Sequence, residues 1–199
     1  MSASGRVSGA DASSPAGRRP RAGEARVTVE AAFPAAPLEP RARLLTGLAG
    51  LLAVAAAVVL ALVSDRGLLL VLGAPSLFLV ILAVPLAFSP AGYAVGGREL
   101  VVLRRGVRPL VFPLGSLAAA RPTAMPRSVR LPGSGGLFGW WGSFANRDWG
   151  RFKAYATDRR RGVLLEWPGF RLFISPEDPE RLCQAVVERR RGRSKGGPA

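Results

Sequence analysis

Five aromatic side chains stand within residues 137–149: Phe138, Trp140, Trp141, Phe144 and Trp149, set among glycines and small polar residues. Rings on such a segment can do one of two things. They can form a contact surface, either for a protein partner or at the lipid headgroup level, where Trp concentrates. Alternatively, the glycines let the segment fold back and the rings fill a small core. Reactive chemistry has little to work with. The chain has no His and a single Cys, Cys183. That excludes an intrachain disulfide, the usual zinc sites, and the Ser-His-Asp and Cys-His nucleophiles. Asp148, Asp158 and Glu166 show no paired-carboxylate arrangement, and no Walker-type glycine loop occurs. We therefore expect no catalytic residue, no cofactor and no metal, and a chain that acts by binding.

The charge balance points to anionic partners. The 199 residues carry 28 Lys and Arg against 13 Asp and Glu, a net +15, with Lys153 and Lys195 as the two lysines. A GC-rich genome accounts for the preference for Arg, Ala, Gly and Pro, but the charge acts physically whatever its origin. It favours nucleic acid or the acidic face of a bilayer. Basic residues interleaved with aromatics also mark single-strand binders. The chain's next feature argues against that partner.

Leu44 to Val63 and Leu68 to Phe88 are two uncharged, mostly aliphatic runs, joined by Ser64-Asp65-Arg66-Gly67. A helix of twenty residues spans about 30 Å, the hydrocarbon thickness of a bilayer. Pro75 and Pro85 are tolerated in membrane helices. We expect transmembrane helices over 44–63 and 68–88, held antiparallel by the short connector. Ala49, Ala53, Ala57 and Ala61 form a small-residue stripe on the first, where a second helix can approach. Arg41 and Arg43 precede the pair, and Arg98, Arg104, Arg105 and Arg108 follow it. The connector's Arg66 is balanced by Asp65. Positive charge on the flanks places both termini in the cytoplasm of a multi-pass protein of the inner membrane. It also makes Arg41, Arg43, Arg98, Arg104 and Arg105 the candidate anionic-lipid contacts.

The flanking segments differ in kind. Residues 1–43 form an N-terminal cytoplasmic segment; residues 1–25 lack large apolar side chains and read as disordered. Arg26 to Glu30 alternates briefly as a strand would, and Pro34, Pro37 and Pro40 then break regular structure. From Gly92 the pattern turns to period two. Strands are expected at 92–95, 99–104, 108–114, near 129–131, and at 151–157, 162–167 and 170–175, about seven in all. Residues 115–150 otherwise read as loop. Ser175 is the expected cap of a terminal helix, with Pro176 in its first position and Glu177 and Asp178 in its first turn. Leu182, Cys183, Ala185 and Val186 give that helix an apolar face, and Gly192 ends it. Residues 191–199 are a disordered basic tail.

Strands followed by one terminal helix resemble the bacterial pleckstrin-homology (PH) domain family, whose members often sit beside two transmembrane helices. The resemblance covers roughly 92–190. It rests on Gly136-Leu137-Phe138-Gly139-Trp140-Trp141-Gly142-Ser143-Phe144 and Ser175-Pro176-Glu177-Asp178-Pro179-Glu180, with Tyr155-Ala156-Thr157 and Val163-Leu164-Leu165 between them. It implies a PH-like split barrel with a C-terminal helix, and it implies no activity. The fold class expected is thus a membrane protein with an α-helical transmembrane hairpin and a mainly-β PH-like split barrel. Its partner is a protein or a second copy of the chain. The alternative is an anionic-lipid-binding or envelope-stress-sensing module. Nucleic acid is the disfavoured partner, because a membrane tether suits it poorly.

Overall fold

The computed structural model describes residues 30–63 and 68–192. The disordered stretch expected over 1–25, nearly all of the strand expected over 26–30, the connector 64–67 and the tail beyond Gly192 lie outside the described residues.

The two uncharged runs form helices α1 (Pro40–Val63) and α2 (Leu68–Phe88). Pro40 opens α1 from the first helical position, where its missing N–H costs nothing. Arg43 N–H donates to Glu39 O at 2.9 Å, closing the first turn. The helices run side by side. Ala49, Ala53 and Ala57 are half-buried, while Leu48, Leu51, Leu52, Val54 and Val58 around them are exposed. Ala49, Ala53 and Ala57 of the stripe therefore lie on the sheltered face of α1, as expected where backbones approach closely, and the side chain of Ala61 lies outside the described residues.

The sheet begins before these helices. Strand β1 (Ala31–Pro34) pairs antiparallel with β2 (Pro90–Gly96), Ala31 opposite Val95 and Pro34 opposite Gly92. The helical hairpin is thus an insertion between two adjacent antiparallel strands. β1 is an edge strand, which is where a strand tolerates a closing proline. Its follow-on residues are also held: Ala36 N–H donates to Ser175 O at 2.9 Å, and Glu39 N–H donates to Thr157 O at 3.1 Å. The β-domain therefore uses residues from both sides of the hairpin.

β3 (Glu99–Arg104) and β4 (Leu110–Pro113) complete a four-stranded antiparallel sheet, β1-β2-β3-β4. The second sheet has six strands. They are β5 (Ala119–Thr123), β6 (Val129–Gly136), β7 (Gly139–Asn146), β8 (Gly150–Ala156), β9 (Gly162–Trp167) and β10 (Phe170–Ile174), ordered β5-β9-β10-β8-β7-β6. Its pairs are antiparallel except β8 with β10. The expectation of about seven strands is corrected here. Residues 115–150, read mostly as loop, supply β5, β6 and β7. The glycines that suggested a loop serve a hairpin instead: Gly136 and Gly139 take positive φ on either side of its tip. A Cβ on Gly139 would meet the Ala156 carbonyl at 2.7 Å, so the strand needs glycine to approach β8.

The principal core lies between the sheets. Tyr93, Val95, Leu100 and Val102 meet Val163, Leu165, Leu172 and Ile174 there. Helix α3 (Pro179–Gly192) closes it with Leu182, Cys183 and Val186. A second cluster forms on the far face of the larger sheet, from Met125, Phe144, Phe152, Ala154, Ala156 and Phe173, with Trp140 and Trp149 packed against it. The helix start also departs from expectation. Asp178 is the cap: its Oδ1 accepts from Arg181 N–H at 2.9 Å and its backbone O from Leu182 N–H at 3.2 Å. Ser175 is buried, and its Oγ accepts from Thr157 N–H at 2.7 Å. Ser-Pro and Asp-Pro are equally good openings of a helix, and the core claims the first for itself.

Candidate functional site

Part of the predicted set meets at the junction of helices and sheets, around the β6–β7 hairpin. Phe138 sits at the tip with φ 54°, a conformation a bulky side chain adopts only when its surroundings impose it. Its N–H donates to Thr46 Oγ1 of α1 at 3.1 Å. A Cβ on the neighbouring Gly136 would lie 3.0 Å from Leu45 Cδ1. Alternation along β7 then sends the two tryptophans to opposite faces. Trp141 joins the principal core and stacks on Phe88, the last residue of α2, with ring centroids 5.2 Å apart and planes 21° from parallel. Trp140 joins the second cluster, and the Arg159 guanidinium lies 4.0 Å from its ring centroid.

Arg159 connects this face to the foot of α1. Its Nε donates to Glu39 Oε2 at 3.3 Å, and Arg160 Nε lies 3.8 Å from Oε1. Glu39 is 2 % exposed, so the pairing keeps a buried charge from standing alone. At the foot of α2, the β3–β4 turn docks by its backbone. Arg105 N–H donates to Ser89 O at 3.2 Å and Gly106 N–H to Ala87 O at 3.0 Å. A Cβ on Gly106 would fall 2.8 Å from Ala87 Cβ, so only glycine permits this approach. Arg104 lies over Phe88, 5.5 Å from its centroid, and its Nε donates to Arg108 O at 2.9 Å.

Of the aromatic candidates, then, Phe138 and Trp141 touch the helices or their ends, while Trp140 covers the outer face. Phe144 is 1 % exposed and stacks on Phe152, which makes it core and corrects its reading as a surface residue. Trp149 packs edge-on against Phe152 at 5.1 Å at the opposite end of β7. The span 137–149 is therefore a strand with a turn at each end, and it divides the five rings among separate places. Of the arginines, Arg41 and Arg43 stand in the first turn of α1, and Arg104 and Arg105 stand beside the end of α2. Arg98 does not: Arg104 pairs with Pro90 and Glu99 with Gly96, which puts the Gly97-Arg98 turn at the far end of β2, about 20 Å away. Sequence reasoning missed Glu39 and Arg159. The one hint was an acid directly before the proline that opens an apolar helix.

Buried hydroxyls lock the sheet ends. Tyr93 Oη donates to Tyr155 O at 2.6 Å and accepts from Ser175 N–H at 3.1 Å. Burial pushes its phenol up to about 12, with the Ser175 hydrogen bond opposing. Burial likewise pushes the Cys183 thiol up to about 11, helped by the nearby Glu180. A thiol so disposed is a packing residue and not a nucleophile. Among the described residues no group of His, Cys, Asp and Glu is placed to hold a metal ion.

Two β-sheets enclosing one core, closed by a C-terminal helix, define a PH-like module. Residues 92–190 match the family model of the bacterial PH domain, and this part of the chain is a bacterial PH domain. Membership suggests a binding or scaffolding module. No curated protein and no solved structure matches the chain.

Proposed function

We propose that the protein is an integral membrane protein whose helical hairpin spans the inner membrane and holds the PH-like module against its cytoplasmic face. The observation that carries this reading is the exposure of the helices. Pro40–Val59 is long and apolar enough to cross a membrane, and almost none of it is buried. Leu44, Leu51 and Leu62 are 72 %, 66 % and 81 % exposed. A core helix of a water-soluble protein would be covered, and an uncovered apolar surface of this extent needs lipid or a partner. Leu79–Phe88 of α2 is a shorter apolar stretch, with Leu79 and Val80 exposed as well.

In this reading the module is non-enzymatic and binds a protein partner or a second copy of the chain. Arg41, Arg43, Arg104 and Arg105 at the helix feet favour a second role, attraction to anionic lipid, each contributing about 1 kcal/mol near such a surface. Membrane fractions of cells expressing the full chain, washed with alkaline carbonate, test the anchor. The protein should stay in the pellet and dissolve only in detergent. Release by carbonate would contradict the proposal.

A further inference from the structure

We infer that the tip of the β6–β7 hairpin, Leu137-Phe138, is embedded in the cytoplasmic leaflet as a third membrane contact beside the two helices. This rests on the proposed span and adds to it a specific lipid-facing site in the folded β-domain. The tip is fixed by geometry. Phe138 N–H is bonded to Thr46 Oγ1 at 3.1 Å, and Gly136 lies against Leu45. Leu45 and Thr46 follow Leu44, where the uncharged run of α1 begins, so the tip stands beside the first turn of that run, the second turn of α1. On the other side, Trp141 stacks on Phe88, where the uncharged run of α2 ends.

The residues have the right character for that depth. The tip is apolar and uncharged, Trp141 stacks on Phe88 where the apolar run of α2 ends, and the Arg104 guanidinium lies over that same ring, 5.5 Å from its centroid. An Arg with an apolar stem and apolar neighbours favours the water–hydrocarbon boundary. The positive φ of Phe138 projects the turn at a local cost that is sensible where an aromatic side chain gains a lipid contact. The opposite end of β7 is different. Arg147 and Asp148 are exposed there, about 25 Å along the strand from the tip.

The full-length protein in phosphatidylethanolamine–phosphatidylglycerol vesicles tests this. Phe138→Cys, Leu137→Cys, Leu52→Cys and Arg147→Cys are each labelled at neutral pH with an environment-sensitive fluorophore. Native Cys183 is buried and stays unlabelled. Nitroxide groups are placed shallow or deep on the lipid chains. The expected result is blue-shifted emission at 137 or 138, lost with shallow nitroxide, loss at 52 with deep nitroxide, and no loss at 147. If 52 is quenched while 137 and 138 behave like 147, the tip inference is overturned and the span stands. Blue-shifted tip labels that no nitroxide lipid quenches would mean a protein cover, such as a second copy, and also overturn it. Failure of quenching at 52 overturns the span and the tip contact together.

Discussion

Glu39 and Arg159, 120 positions apart in sequence, form an ion pair at 3.3 Å between the foot of α1 and the turn after β8. The carboxylate is buried, whereas the Arg159 side chain is 25 % exposed and Arg160, its second partner, 66 %. Removing a partner from a buried charge costs more than removing a solvated one. Arg159→Ala should destabilise the detergent-solubilised protein by about 3 kcal/mol, the lower end of the range for a broken buried pair because Arg160 remains. Arg160→Ala should cost under about 1 kcal/mol. Thermal melting of both variants checks the order, and equal losses would show that Glu39 is not held as described.

The insertion of the helices between β1 and β2 predicts how the β-domain can be made to stand alone. Joining 30–39 to 89–192 through a flexible Gly/Ser linker of about ten residues should give a folded, soluble domain. The fragment 89–192 lacks β1, buried Phe33 and Glu39, and should be markedly less stable or unfolded. Urea titration of the two compares them directly. Equal stability would mean that β1 adds nothing to the sheet.

The indole N–H groups of Trp140 and Trp141 are both buried without a hydrogen-bond acceptor. An unmet buried donor costs about 1–3 kcal/mol, so replacing the indole by a ring without that donor loses packing but relieves the debt. Trp140→Phe and Trp141→Phe should each change stability by under about 1 kcal/mol, whereas the alanine variants should lose about 3 kcal/mol. Phenylalanine variants as damaged as the alanine ones would mean that the indole area itself decides the packing.

The raised Tyr93 and Cys183 values set a pH window. Both groups ionise less readily folded than unfolded, so their contribution is intact below the ordinary values of 9.0 for Cys and 10.0 for Tyr. It is lost as pH rises through about 11 and then about 12. Stability should fall from about pH 9 upward, and Cys183→Ala should flatten the first part of that fall. An alkaline limb unchanged in the variant would remove the thiol from the account.

Much of the fold was legible in the sequence, and the exceptions share a cause. β2, β3, β9 and β10 lie within a residue or two of the strands expected at 92–95, 99–104, 162–167 and 170–175, and the apolar face of α3 buries Leu182 and Val186 as its spacing implied. β6 was legible only at its start, near 129–131, and the rest of it and β7 were hidden because glycine signals both turn and close approach; Gly139 opens β7 where it meets Ala156. β1 was hidden because Ala-Ala-Phe-Pro has no β-branched residue, and its pairing partner lies beyond two helices. Within the site, the type of residue was readable but its direction was not. Trp140 and Trp141 are adjacent in sequence and face different cores. Arg98 and Arg104 are near neighbours in sequence and lie at opposite ends of β3, a consequence of register that composition does not carry.

In the proposed topology the hairpin crosses the membrane and leaves both flanks of the chain on the cytoplasmic side. The most direct measurement is a pair of fusions of a reporter active only in the periplasm, one after Ala199 and one inserted between Asp65 and Arg66 in the full-length chain. The expected result is activity from the Asp65–Arg66 insertion and none from the Ala199 fusion, with both proteins present in the membrane fraction. Periplasmic activity after Ala199, or silence of the reporter between Asp65 and Arg66, would contradict it.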